Sequence, residues 1–170
     1  MDKAITELHQ ILQRLIGLHR QLLDITRREK TALLEMNLKE VQENTFDKEA
    51  TLYSVHQAET ERQRKISEIA ILTKTPVEEL TIQKLVIQVQ GSDIKMAEQL
   101  RTTANALTVL IDRIKDQNKE NSRLVEQSLI HIREMKRNVL GESQRGSETY
   151  GAKGQKVTPS SESRLLKGEA

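Results

Sequence analysis

The sequence predicts an all-α protein: an elongated antiparallel helical hairpin plus a long third helix, forming a coiled-coil-like bundle, with a flexible C-terminal tail. Three observations predict it. Apolar residues recur every three or four positions over most of residues 1–140, the period of one buried helix face. Five of the seven glycines and one of the two prolines fall within residues 141–170, which leaves little before them to stop a helix. Charged residues make up 31% of the chain and aromatics 2%, which suits long charged-surface helices rather than an aromatic core.

The first helix is predicted from Asp2, a candidate cap, to about Met36. Ile5, Leu8, Leu12, Leu15 and Leu22 form its main seam. Ile11, Ile16, Leu18, Leu23 and Ile25 widen that face enough to touch two neighbours. Gly17 lies within it and either permits a close helix crossing or is merely tolerated. Asn37 followed by Glu40 has the spacing of a capping box. A turn there makes the first two helices a hairpin, with one continuous helix as the alternative. The second helix, residues 38–73, carries Leu38, Val41, Leu52, Val55, Ile66 and Ile69 in seven-residue order. Polar stretches of both helices fall near the turn, so that end is expected to be the wetter one. Thr75-Pro76-Val77-Glu78 reads as a start signal for a short helix over 76–90 that Gly91 stops. Ser92 or Asp93 then caps the last helix.

That last helix, residues 92–140, meets no proline, and at ~1.5 Å per residue it spans roughly 70 Å. Met96, Leu100, Leu107, Leu110 and Ile114 line one face, with Thr103 in step. The polar run from Gln117 to Arg123 interrupts them, and the old positions then fill with Asn121, Ser128, His131 and Asn138. The apolar residues shift to Val125, Leu129, Ile132 and Val139, flanked by Leu124 and Met135. Such a change of phase turns a stripe toward a new direction. The long helix is expected to outreach the hairpin, leaving this stripe for a partner. Plain bundle core is the alternative reading of it, and the Asn118/Asn121 pair can equally be a polar layer that fixes register. Residues 1–140 form the helical bundle and residues 141–170 the tail, whose apolar points are Tyr150 and Leu165-Leu166.

Several functions are disfavoured. Without basic blocks or stacking aromatics, nucleic acid is a poor candidate partner. No apolar run is long enough for a membrane span, and the N-terminus does not read as a signal peptide, so a cytoplasmic location is expected. Cysteine is absent, and none of His9, His19, His56 and His131 has a second histidine three or four residues away. A phosphotransfer histidine would need small neighbours, which Leu18-His19-Arg20 and Ile130-His131-Ile132 lack. No phosphate loop or nucleophile elbow is present, so neither an enzyme nor a cofactor is expected.

Three stretches carry a likeness. One is Glu29-Lys30-Thr31-Ala32-Leu33-Leu34, with the break at Asn37-Leu38 and the following Lys48-Glu49-Ala50-Thr51-Leu52. Another is Asn118 through Leu129, and the third is Thr149-Tyr150-Gly151-Ala152-Lys153-Gly154 with Arg164-Leu165-Leu166. Together they resemble the FlgN-type flagellar export chaperones over nearly the whole chain, with Lys153 where an acidic residue is frequent in that family. The resemblance implies a chaperone that binds the C-terminal helical segments of hook-filament junction proteins. It would prevent their premature assembly and deliver them to the flagellar type III export apparatus. It places client binding on Leu124, Val125, Leu129, Ile132, Met135 and Val139. It also implies that Tyr150 docks on the cytoplasmic domain of the export gate. The alternative is a structural coiled-coil adaptor that self-associates through the same stripe.

Overall fold

The structure, a computed structural model, describes the backbone over residues 1–145 and side chains over residues 1–139. It contains α1 (Asp2–Leu34), α2 (Leu38–Thr73), α3 (Ile82–Gln90) and α4 (Ile94–Arg145), with a 3-10 turn at Val77–Glu79. No strand occurs among the described residues. The chain divides into two units, Met1–Val125 and the part from Glu126 onward.

Within the first unit, α1 supplies the broad face its sequence announces. Ile5, Leu8, Leu12, Leu15, Leu22 and Ile25 are all buried, and Ile11, Ile16 and Leu18 pack at the edge of the core. Two partners use that face. Glu7 pairs with Lys65, Arg14 with Glu61 and Arg28 with Asp47, so numbers rise on α1 as they fall on α2. The two helices are therefore antiparallel. Toward α4 the numbers rise together: His9 Nε2 lies 3.1 Å from Thr103 Oγ1, and Lys30 Nζ donates to Glu120 Oε1 at 2.7 Å. The first unit is a bundle in which α1 runs against α2 and alongside α4. Lys65 also reaches Glu68; those hydrogen bonds to Glu68 and Glu7 hold its ammonium above the usual lysine range. The same contact from Lys65 holds the Glu7 carboxyl below the ordinary carboxylate range.

The hairpin turn forms where Asn37 and Glu40 predict it. Asn37 Oδ1 accepts from the Glu40 amide at 3.3 Å, and Asn37 Nδ2 donates to Glu40 Oε2 at 3.1 Å. The chain reverses at Met36, whose φ of 54° is left-handed, while the Asn37 amide closes onto the Ala32 carbonyl. α1 thus ends at Leu34, two residues before the expected Met36.

The segment after α2 departs from the expected single helix over 76–90. Thr75 Oγ1 donates back to the Thr73 carbonyl instead of capping a new helix. Pro76 opens only the 3-10 turn Val77–Glu79, after which Leu80 leaves helical geometry and is buried in the core. Burying Leu80 breaks the element in two. Thr81 is the working cap, accepting from the Lys84 amide at 3.2 Å, and α3 begins at Ile82. Leu85, Val86 and Val89 of α3 join Leu8, Ile69 and Leu100 in the main core cluster. Asp93, one of the two expected caps, accepts from the Met96 amide at 2.9 Å and opens α4. At its other end α4 passes Gly141 and runs on to Arg145. A lone glycine in a helix costs only about 1 kcal/mol against alanine, too little to stop it there.

Toward the turn the core becomes polar. Thr26, Asn44, Thr51 and Asn121 are buried there. Asn121 Nδ2 donates at 2.8 Å both to the Thr26 carbonyl and to Glu29 Oε2, which also accepts from Lys48 Nζ at 2.8 Å. One carboxylate thereby ties α1, α2 and α4 together. Asn44 is 2% exposed, and its Nδ2 has no acceptor among the described residues.

These environments generate two predictions. A Cβ added at Gly17 meets nothing within 4 Å, so no close crossing requires the glycine. Gly17→Ala should raise the unfolding free energy by up to about 1 kcal/mol in urea denaturation. In the polar layer the two asparagines should respond oppositely. Asn44→Leu removes an unpaired buried donor and should stabilise by about 1 kcal/mol, whereas Asn121→Leu strips partners from Glu29 and Thr26 and should destabilise by about 1–3 kcal/mol. Equal responses in the same denaturation series would contradict the difference in their bonding.

Candidate functional site

Burial along α4 follows the spacing of its sequence until the polar run. Ala97, Leu100, Thr103, Leu107 and Ile114 are buried, with Met96, Leu110 and Ile111 packed at the margin. The same face continues through Gln117 and Asn118, both partly buried, and ends at Asn121, 4% exposed. Asn121 is therefore a bundle residue that holds α4 to α1. The reading of the asparagine layer as a register-fixing polar layer fits it.

Past Asn121 the large apolar residues of α4 occupy exposed positions. Val125 is 41% exposed and closes the first unit. In the second unit Leu129 is 48%, Ile132 59%, Met135 55% and Val139 63% exposed, and Leu124, just before Val125, is partly buried. Glu126, Arg133, Glu134, Lys136 and Arg137 lie exposed among them. Charges of both signs at helical spacing keep a helix soluble while leaving aliphatic side chains between them open to water. Large apolar side chains grouped this way are what a partner helix can cover. Ile130, 48% exposed, adds an apolar residue that the spacing of the stripe does not select.

Where the hairpin tip meets α4, the first unit holds a pocket of about 280 Å³. Leu33 of α1 and Val41 of α2 line one side, and Asn118, Ser122 and Val125 of α4 the other. Glu29, Lys48 and Asn121 complete the lining, and their mutual hydrogen bonds satisfy one another. The spacing of the sequence put Val41 on a helix face but joined neither it nor Leu33 to Val125. A second pocket, about 380 Å³, lies between α3 and α4, lined by Ile82, Val86 and Ile87 against Arg101, Ala104 and Thr108. The short helix thus lies along the early turns of α4, well before Val125.

The remaining candidates are scattered. His9 and His19 are buried, the latter with Nδ1 2.7 Å from the Leu15 carbonyl, while His56 and His131 are exposed. Among the described residues no group of three histidine, aspartate or glutamate side chains could hold a metal ion. No helix among them is long and apolar enough to cross a membrane. Tyr150 and Leu165-Leu166 lie outside the described residues, as does the expected tail beyond residue 145.

No curated protein and no solved structure matches the chain. The family model described as FlgN protein matches residues 1–158, which takes in α1 to α4 and the sequence stretch containing Tyr150. The chain belongs to the FlgN family of flagellar export chaperones.

Proposed function

We propose that this chain is a cytoplasmic chaperone for hook-filament junction proteins. It takes their C-terminal helical segments on Leu124, Val125, Leu129, Ile132, Met135 and Val139, and delivers them to the flagellar type III export apparatus. Tyr150 docks on the cytoplasmic domain of the export gate. One observation carries the client site: large apolar side chains from Val125 to Val139 stand 41–63% exposed on the last helix of a FlgN-family chain. A client segment that assembles into a helical array outside the cell carries an amphipathic face of its own. A helix offering a matching face covers it without any covalent step. Assignment of the gate contact to Tyr150 rests on the tail likeness alone.

The stripe reading predicts that Ile132→Asp leaves far-UV circular dichroism and thermal unfolding nearly unchanged, because the side chain is 59% exposed. Burying a carboxylate under a client helix is unfavourable, so affinity for a client C-terminal peptide should fall at least about tenfold in calorimetry. Unfolding of the variant would instead make the stripe core. Light scattering separates a self-associating adaptor from a chaperone: an adaptor stays oligomeric when peptide is added, a chaperone gives a one-to-one complex.

Tyr150→Ala is expected to leave client affinity unchanged and to lower secretion of the client into the medium. Loss of client binding in that variant would refute the separation of the two contacts.

A further inference from the structure

Resting on the client reading, we propose that the hairpin-tip pocket is part of the client site. It receives one uncharged aliphatic side chain from the end of the client helix. Three observations lead there.

First, Val125 belongs to both features. It opens the apolar stripe in sequence, and it lines the pocket together with Leu33 and Val41. Its predecessors on the same helical spacing, Ser122 and Asn118, line the pocket as well. Second, much of the open wall is apolar. Leu33 and Val41 are only partly buried, and Leu34, Met36 and Leu38 of the adjoining turn are 61%, 73% and 77% exposed. A hairpin tip in a soluble protein has no need of so many aliphatic side chains in water, and such a cluster marks a contact. Third, the polar lining has no charge left to offer. Glu29 is neutralised by Lys48 at 2.8 Å and takes a further hydrogen bond from Asn121. A charged occupant would be desolvated there without a partner, whereas a leucine, isoleucine or methionine would meet Leu33, Val41 and Val125. The Ser122 hydroxyl and the Asn118 carboxamide in the lining can bond the free backbone groups of a helix end.

The neighbouring alternatives fit less well. The larger pocket between α3 and α4 is made of residues far from the stripe in sequence, and nothing marks what would cover it. Exposed Phe46 and Tyr53 of α2 line neither of these two pockets.

The test uses the full chain and a synthetic peptide of the C-terminal helical segment of a hook-filament junction protein. Val41→Asp, at a partly exposed position, should weaken peptide binding about tenfold. Ile71→Asp, at a 78% exposed position at the other end of α2, should leave it unchanged. A photocrosslinking phenylalanine analogue at position 41 should attach to one end of the peptide, which also covers the case of a Val41→Asp variant that folds poorly. If Val41→Asp binds as the unaltered chain does and position 41 captures no peptide, while Ile132→Asp still loses binding, the pocket proposal is overturned and the client reading stands. If neither Val41→Asp nor Ile132→Asp alters binding, the client reading falls as well. Capture of a second copy of this chain at position 41, instead of the peptide, would also overturn the proposal.

Discussion

The first unit depends on one helix face having two neighbours. α1 offers an apolar surface wider than a single coiled-coil seam, and both α2 and α4 rest on it. Leu8, Leu15 and Ile25 are buried to 1% exposure or less, and truncating any of them would open a cavity felt by both partners. α3 closes the remaining side of the lower core through Leu85, Val86 and Val89. The apolar cluster covers the end where α1 and α4 begin and α2 finishes. A smaller one, Leu22, Leu23 and Ile114, follows it toward the turn.

Beyond those clusters the bundle is held by polar bonds. Thr26, Glu29, Lys48 and Asn121 replace leucines with hydrogen bonds that demand one register. The consequence reaches α4 directly. Its buried face ends at Asn121, and the large aliphatic residues that follow are placed on other positions of the same helix. A continued leucine seam would have bound α4 to the hairpin for longer and left fewer apolar side chains exposed. The polar layer is thus the boundary between the part of α4 that folds the protein and the part assigned here to its client.

Much of this was legible in the sequence because helix period and capping chemistry are local. The α1 and α4 seams, the Asn37–Glu40 turn and a cap at Ser92 or Asp93 are read from local spacing, and the structure selects Asp93. α2 was harder. Of its expected seam, Ile66 and Ile69 are buried and Val41 and Val55 partly so, yet Leu38 and Leu52 are 77% and 46% exposed. Nearer the turn the buried positions are Asn44, Thr51 and Ala58, all small or polar. Hydrophobic size is a poor guide where a helix is pinned by small residues and ion pairs. The break at Leu80 was hidden for a related reason. Thr75-Pro76 is a sound local start signal, overridden by the burial of one leucine that belongs to the tertiary core. The hairpin-tip pocket unites residues 33, 41 and 125, and no periodicity within one helix could have joined them.

The exposure of the stripe bears on how a client could be held and let go. A site that must first be uncovered binds more weakly by the fraction of time it is open. Side chains already 41–63% exposed carry no such penalty, and they also have less surface left to gain from. Complete burial of an aliphatic side chain is worth about 1.5–3 kcal/mol, so half-exposed ones contribute roughly half of that each. Association and the ordering of a client helix oppose that gain with several kcal/mol. The proposed stripe alone is therefore shallow. On the proposed reading, a client would gain the remainder from its own apolar face, and from any further contact such as the hairpin-tip pocket. Loss of a single end contact would then shift the balance substantially, which is the behaviour a carrier needs if its cargo is to be released without unfolding the carrier.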